Sequence, residues 1–232
     1  MASTTQSPSG VVGIVLVCGY RGHGKDTFFR YLAGHTDVFK FDFFATSFGN
    51  HSNLLRGTIE RFERIALADF LKHEVAEELG VTMDYLDENK AKRLDEDGIV
   101  YAFEEVIPED PEHPTYRDVL IDRAALRRSE DLDHYVKLAY HEITTNERFD
   151  GAIAVITDWR YENEYSFFSD CQRIGVGGVT TVRAHNPNGV VPHSTVMSEH
   201  QLDGFATNLL VQPQGTHLEE RFIQQGYFAL PE

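Results

Sequence analysis

Nine consecutive residues, Gly19-Tyr20-Arg21-Gly22-His23-Gly24-Lys25-Asp26-Thr27, have the types and spacing to hold phosphate. They match the pattern G-x-x-x-x-G-K and stand between an apolar run, Val11 to Cys18, and a helical stretch from about Lys25 to Ala33. Glycines let the backbone wrap until successive N–H groups point inward around an anion. The helix N-terminus adds a partial positive charge. Arg21, Gly22, His23, Gly24, Asp26 and Thr27 would line that cradle, and Lys25 can reach the β and γ oxygens of a nucleoside triphosphate. A glycine-rich surface turn ahead of a helix is the plain alternative. The position after the lysine usually carries a hydroxyl that helps hold Mg²⁺, yet here it is Asp26. Either Asp26 engages the metal through its carboxylate or a bound water, or Thr27 takes the hydroxyl role.

Phosphoryl transfer is mostly positioning and charge stabilisation, with little covalent work for a protein. Asp158 follows a continuous apolar run, Ala152 to Thr157, of the kind that forms a strand buried on both faces. Its carboxylate would face the carboxyl edge of a parallel sheet, where it is a candidate to orient Mg²⁺. Its alternative is an N-cap for the next helix. Arg117, Arg123, Arg127 and Arg128 fall on one predicted helix, and Arg123 and Arg127 share a face at i,i+4 spacing. A guanidinium grips phosphate bidentately, so these are candidates for an acceptor phosphate or a migrating phosphoryl group, Arg127 in the catalytic role. A solvated basic face pairing with Glu130 or Asp131 is the alternative. Lys72 reads as a further acceptor-phosphate contact or an ordinary surface lysine. Tyr135 stacks on a base or fills a helix interface. Phe41, Phe43, Phe44 and Phe48 read as core packing ahead of a base-stacking wall. His193, His200 and His217 lack metal-ligand spacing.

These residues need a frame. Helical patterns are predicted at Phe70 to Leu79 with Asp69 as N-cap, Tyr116 to Arg128, Leu132 to Ile143, Asn163 to Ile174 and Leu218 to Gln225. Apolar strand-like runs are Val11 to Cys18, Arg64 to Leu67, Ala152 to Thr157, Val179 to Arg183 and Asn208 to Val211. Strands alternating with helices predict an α/β fold, a mostly parallel central sheet flanked by helices. Residues 11–232 read as one domain, and residues 1–10 as a disordered tail without signal or transit character. The stretch 83–114 is acidic and carries Pro108, Pro111 and Pro114, so it reads as an insertion or substrate lobe outside the sheet.

The bulk numbers narrow the partners. At 232 residues, 41% hydrophobic and 25% charged, the chain has ordinary globular composition. No apolar run approaches the roughly 20 residues of a membrane span. Cys18 and Cys171 support neither a disulfide framework nor a zinc site, which points to a reducing compartment. A formal net charge of -16 argues against a nucleic-acid polymer as partner. An anionic nucleotide then requires a local cluster of Arg, Lys and Mg²⁺, which screening beyond about 8 Å allows.

Four motifs in chain order carry a family resemblance. The loop Gly24-Lys25-Asp26-Thr27, then Ile65-Ala66-Leu67-Ala68-Asp69-Phe70-Leu71-Lys72, then Ile156-Thr157-Asp158-Trp159-Arg160-Tyr161-Glu162-Asn163-Glu164, then Ser198-Glu199-His200-Gln201-Leu202-Asp203 resemble viral and phage deoxynucleoside monophosphate kinases. The resemblance runs from about Val12 to Phe222. It implies a P-loop kinase fold, an acidic lobe for the acceptor nucleotide, Mg-ATP as donor and a deoxynucleoside monophosphate as acceptor. It also implies a phosphate contact for Arg160, whose plain alternative is a surface salt bridge, together with a homodimer and the cytoplasm as setting, the host's if the source is viral. Within the last motif Glu199 and Asp203 would help fix the nucleotide-binding loop, and Asn208 with Gly215-Thr216 is similar to the family's adenine-side loop. Departures are Ala124-Ala125 and Tyr135 where relatives carry Gly-Thr and Trp, and His185 where a paired arginine stands. Animal-type phosphomevalonate kinases share the fold and a similar loop and are the nearest rival. A nucleotide-binding module without turnover is the rival from another class. The guanine signature of GTP switches is absent, since Asn89-Lys90-Ala91-Lys92 fails it at the last position.

Overall fold

The computed structural model describes residues 10, 11, 13–34, 61–171, 179–185, 201–205, 207 and 209–211. The chain divides into two compact units, one of Met1–Ala66 with Tyr140–Glu232 and one of Leu67–Ala139.

The first unit is an α/β layer structure. Its strands are β1 (Gly13–Cys18), β2 (Arg61–Ile65), β3 (Ala152–Ile156), β4 (Val179–Ala184) and β5 (Leu209–Val211), all paired in parallel in the order β2-β3-β1-β4-β5. Every residue of β1 and of β3 is buried. A strand covered on both faces tolerates no polar alternation, which is why both segments are apolar throughout. β2, at one end of the order, carries Arg61, Glu63 and Arg64 and buries only Phe62 and Ile65. Those charges hid it from hydropathy, so the apolar piece expected at Arg64 to Leu67 proves to be the end of a strand and the start of a helix. Parallel neighbours require crossovers. The chain leaves central β1 through helix α1 (Lys25–Gly34) towards β2 on one side, and passes from β3 to β4 on the other. Strand order therefore reverses at β1, the position where α/β sheets open a crevice at their carboxyl edge.

The second unit is helical among the described residues. It holds α2 (Leu67–Leu79), α3 (Met83–Glu88), a 3₁₀ turn at Leu94–Asp97, α4 (Tyr116–Glu130) and the start of α5 (His134–Thr145). Val75, Ala76, Leu86, Leu94, Tyr116 and Val119 form its buried core. α2 begins at Leu67, so Asp69 is not its N-cap. It lies in the first turn, where its charge faces the positive end of the helix dipole. α3 is capped by Thr82, whose hydroxyl accepts from Tyr85 N at 3.1 Å. α4 opens on a reciprocal box in which Thr115 and Asp118 satisfy each other's backbone N–H. The acidic stretch 83–114 lies inside this unit and makes a single isolated bridge, Arg93 with Thr115. No described helix is long and apolar enough to cross a membrane.

In the first unit α6 (Glu162–Cys171) follows β3. The residues 41–48, 187–200, 208 and 212–232 lie outside the described residues, and with them the expectations for Phe41, Phe43, Phe44, Phe48, His193, Glu199, His200, Asn208, Gly215, Thr216, His217 and the last helix.

Candidate phosphate-binding site

The glycine loop leaves the carboxyl end of β1 and enters α1 within six residues, Gly19 to Gly24. Three glycines take positive φ: 138° at Gly19, 79° at Gly22 and 87° at Gly24. At Gly19 space decides as well as conformation, because a Cβ there would overlap the backbone carbonyl of Ala184 on neighbouring β4. The turn is closed by His23 N donating to Tyr20 O at 3.1 Å, and α1 starts with Phe28 N donating to Gly24 O at 2.8 Å. Lys25 folds back so that its Nζ donates to Gly19 O at 2.6 Å and Tyr20 O at 3.0 Å. An ammonium held over the mouth of its own loop is in position to exchange carbonyl oxygens for phosphate oxygens.

The walls of the loop are polar and aromatic. His23 is buried, with its ring edge-on to Tyr20 at 5.1 Å and to His185 at 5.7 Å. The Tyr20 hydroxyl donates to Asp203 Oδ1 at 2.8 Å. Arg183 donates to the carbonyls of Leu202 and Phe205, and so ties residues 201–205 to β4. Cys18, the last residue of β1, is buried, and burial pushes its thiol up to about 11, so it stays protonated and inert. Arg21 is exposed.

Asp26 lies in the first turn of α1, and its Oδ1 accepts from Arg64 Nε of β2 at 3.1 Å. Thr27 is half-buried beside it. Asp158 stands just beyond β3. Leu16 of β1 aligns with Ile156 of β3, so Cys18 and Asp158 lie two residues further along adjacent strands. The ladder continues past the strand end, Thr157 N donating to Ile65 O at 3.3 Å. α6 starts at Glu162, which leaves Tyr161, not Asp158, in the position before the helix. The backbone N–H groups there are taken by buried Glu164, whose Oε2 accepts from Arg160 N at 2.9 Å and Tyr161 N at 3.2 Å. Trp159 is buried against Phe205, its Nε1 donating to Tyr161 O at 2.8 Å. Asp26, Thr27 and Asp158 together offer only oxygen donors, the hard set that Mg²⁺ takes when one or two carboxylates share it with substrate phosphates. The described residues contain no cluster of three or more His, Cys, Asp or Glu side chains able to hold a metal.

In the second unit three of the expected acceptor residues converge on a glutamate that sequence reasoning missed. Glu74 of α2 accepts from Arg127 Nε at 2.8 Å through Oε1 and from the Tyr135 hydroxyl at 3.1 Å through Oε2. Arg123 Nη1 stands 3.8 Å from the same carboxylate while its Nη2 binds Glu78 at 2.6 Å. Arg127 also binds Glu130 at 2.8 Å, the partner expected from a solvated basic face. Hydrogen bonds to Glu74 and Glu130 hold the Arg127 pKa above its ordinary value. Lys72 lies apart from this cluster. It pairs with Asp69 and Asp87, each at 3.1 Å, and although burial opposes its charge, these two carboxylates raise its pKa. Arg117 is exposed, and its backbone N donates to Lys90 O at 2.9 Å. Arg128 is half-buried on α4.

A further residue without a sequence signal is Asp122. It is fully buried on α4 and accepts from the backbone N–H of Glu104, Glu105 and Val106 and from the Tyr101 hydroxyl. It pins the irregular segment 101–106 onto the helix.

The fold is thus α/β with a parallel sheet flanked by helices, compatible with a P-loop-like architecture. No protein-family model matches the chain, and no curated protein matches it.

Proposed function

We propose that the protein is a P-loop phosphotransferase that moves the γ-phosphoryl group of Mg-ATP onto a deoxynucleoside monophosphate, giving the diphosphate and ADP. The observation that carries the reading is the glycine loop at the carboxyl end of the central strand, where strand order reverses and Lys25 is held over the loop mouth. Backbone N–H groups of Gly22 and of Gly24 to Thr27 bind the donor phosphates, and Lys25 follows the charge that spreads over the migrating group. Bound Mg²⁺ would neutralise the β and γ oxygens, and Asp26, Thr27 and Asp158 are the residues to hold it. Arg160 contacts phosphate. Lys72, Arg117, Arg123, Arg127, Arg128 and Tyr135 serve the acceptor, with Arg127 in the catalytic role. That role requires the arginines to exchange Glu74, Glu78 or Glu130 for phosphate, and a dianion competes well for a bidentate guanidinium. The preference for deoxynucleotides, a homodimeric state and a cytoplasmic setting rest on the resemblance of the four motifs.

The test is direct. The protein is incubated with Mg-ATP and each common ribo- and deoxynucleoside monophosphate while diphosphate formation is followed. Rapid conversion of one or more deoxynucleotides supports the reading and reports its base range. Silence across the panel with ATP still bound turns it towards another phosphorylated acceptor, such as phosphomevalonate, or towards a sensor without turnover.

A further inference from the structure

The carboxylate of Asp26 stands where the chemistry of the loop least favours it. A phosphate cradle works by gathering backbone N–H groups and the positive end of a helix dipole around an anion. Asp26 lies in the first turn of that same helix, directly after the lysine. Its negative charge competes with the ligand for the dipole and repels the polyphosphate. Arg64 answers this locally. It lies on β2, next to the strand end, in register with Val155 of β3, and its Nε reaches Asp26 Oδ1 at 3.1 Å across 38 residues of chain. Both side chains are more than one-third exposed, 37% for Arg64 and 62% for Asp26. An ion pair so exposed contributes little to fold stability. Its consequence lies in the electrostatics of the cradle, at a range where salt screens incompletely.

We propose that Arg64 is a positioning residue of the glycine loop, holding and neutralising the Asp26 carboxylate so that the cradle accepts a polyphosphate. Together the two side chains present a neutral, oriented pair at the position where a hydroxyl usually stands. This rests on the reading of the loop as a triphosphate site and adds to it a residue from a different strand, with a role that runs through Asp26.

The experiment is a double-mutant cycle on nucleotide affinity, read by titration with a fluorescent ATP analogue in EDTA and again with Mg²⁺. Removing the metal separates the charge of the pair from any part Asp26 plays towards the ion. R64Q should weaken binding about tenfold, the order expected for one uncovered charge beside a polyphosphate in a partly exposed site. In that background D26S should restore affinity to within about threefold of wild type, because the charge that needed covering is gone. Unchanged affinity in R64Q overturns the proposal. So does a D26S/R64Q protein as weak as R64Q, which would make Arg64 a direct phosphate ligand. Should R64Q fail to fold, D26N carries the same test, since freeing Arg64 from a carboxylate should tighten ATP several-fold, and unchanged affinity overturns the idea. Wild-type protein that binds no ATP overturns the loop reading itself. Normal wild-type binding with an inert R64Q overturns only the role of Arg64.

Discussion

The carbonyl of Ala184, at the end of β4, occupies the space that a side chain on Gly19 would need, with the carbonyl carbon 3.2 Å from the ideal Cβ position. The first glycine of the loop is therefore demanded twice, by its φ of 138° and by the neighbouring strand. G19A should destabilise the protein by about 2–5 kcal/mol, combining backbone strain with overlap in a packed region. G22A is the control. Its φ of 79° is also left-handed, but nothing lies within 4 Å of the added atom, so only the conformational cost of about 1–2 kcal/mol applies. Urea midpoints for the two variants check this, and equal losses would remove the steric argument.

Lys25 donates to two carbonyls of its own loop, Gly19 O and Tyr20 O. K25A should lower turnover at least about a hundredfold, in line with losing a preorganised donor to transition-state charge. Its far-ultraviolet circular dichroism should match wild type. Retained turnover in a folded K25A protein would end the proposed mechanism.

Arg127 separates two roles by kinetics. If it receives the acceptor phosphate, R127A raises KM for the deoxynucleotide by at least about tenfold and leaves KM for ATP within about twofold. Loss of its pairing to Glu74 also destabilises the second unit by about 1 kcal/mol, a figure kept low because both side chains are partly exposed. A stability loss with both KM values unmoved would reassign Arg127 to bracing Glu74 and Glu130.

Asp122 predicts a pH dependence. Burial raises its pKa, but hydrogen bonds from the N–H groups of Glu105, Val106 and Glu104 and from Tyr101 outweigh that and hold it below the ordinary 3.8. A carboxyl whose folded pKa is depressed contributes stability that is complete above the unfolded value and is lost as pH falls through the folded one. Asp97, drawn down to about 2 by Lys92, Tyr85 and Tyr116, adds to the same window. Wild-type stability should therefore fall between about pH 4 and pH 2. D122N should be less stable at neutral pH and flatter below pH 4. D122A, which strands three backbone N–H groups, should cost about 3 kcal/mol at neutral pH. Parallel stability–pH curves for wild type and D122N would contradict the assignment.

Much of the frame was readable because its signals are local. β1 and β3 are apolar from end to end, since a strand covered on both faces has no solvated side to mark. The glycine loop was readable because its φ values need glycine at set intervals between one strand and one helix. β2 escapes the hydropathy pattern because its edge position admits Arg61, Glu63 and Arg64. Asp69 has the residue type of a cap, yet the helix starts two residues earlier, at Leu67, and that start carries no local signal.

The sequence by itself determined the alternation of strand and helix, the G-x-x-x-x-G-K spacing of residues 19–27 and the acidity of the stretch 83–114. Only the tertiary structure decided which charges meet. Arg64 reaches Asp26 across 38 residues, and Tyr135 reaches Glu74 across 61. Crossovers and helix packing set those distances, and the side-chain periodicity along one element carries no record of what another element will bring beside it.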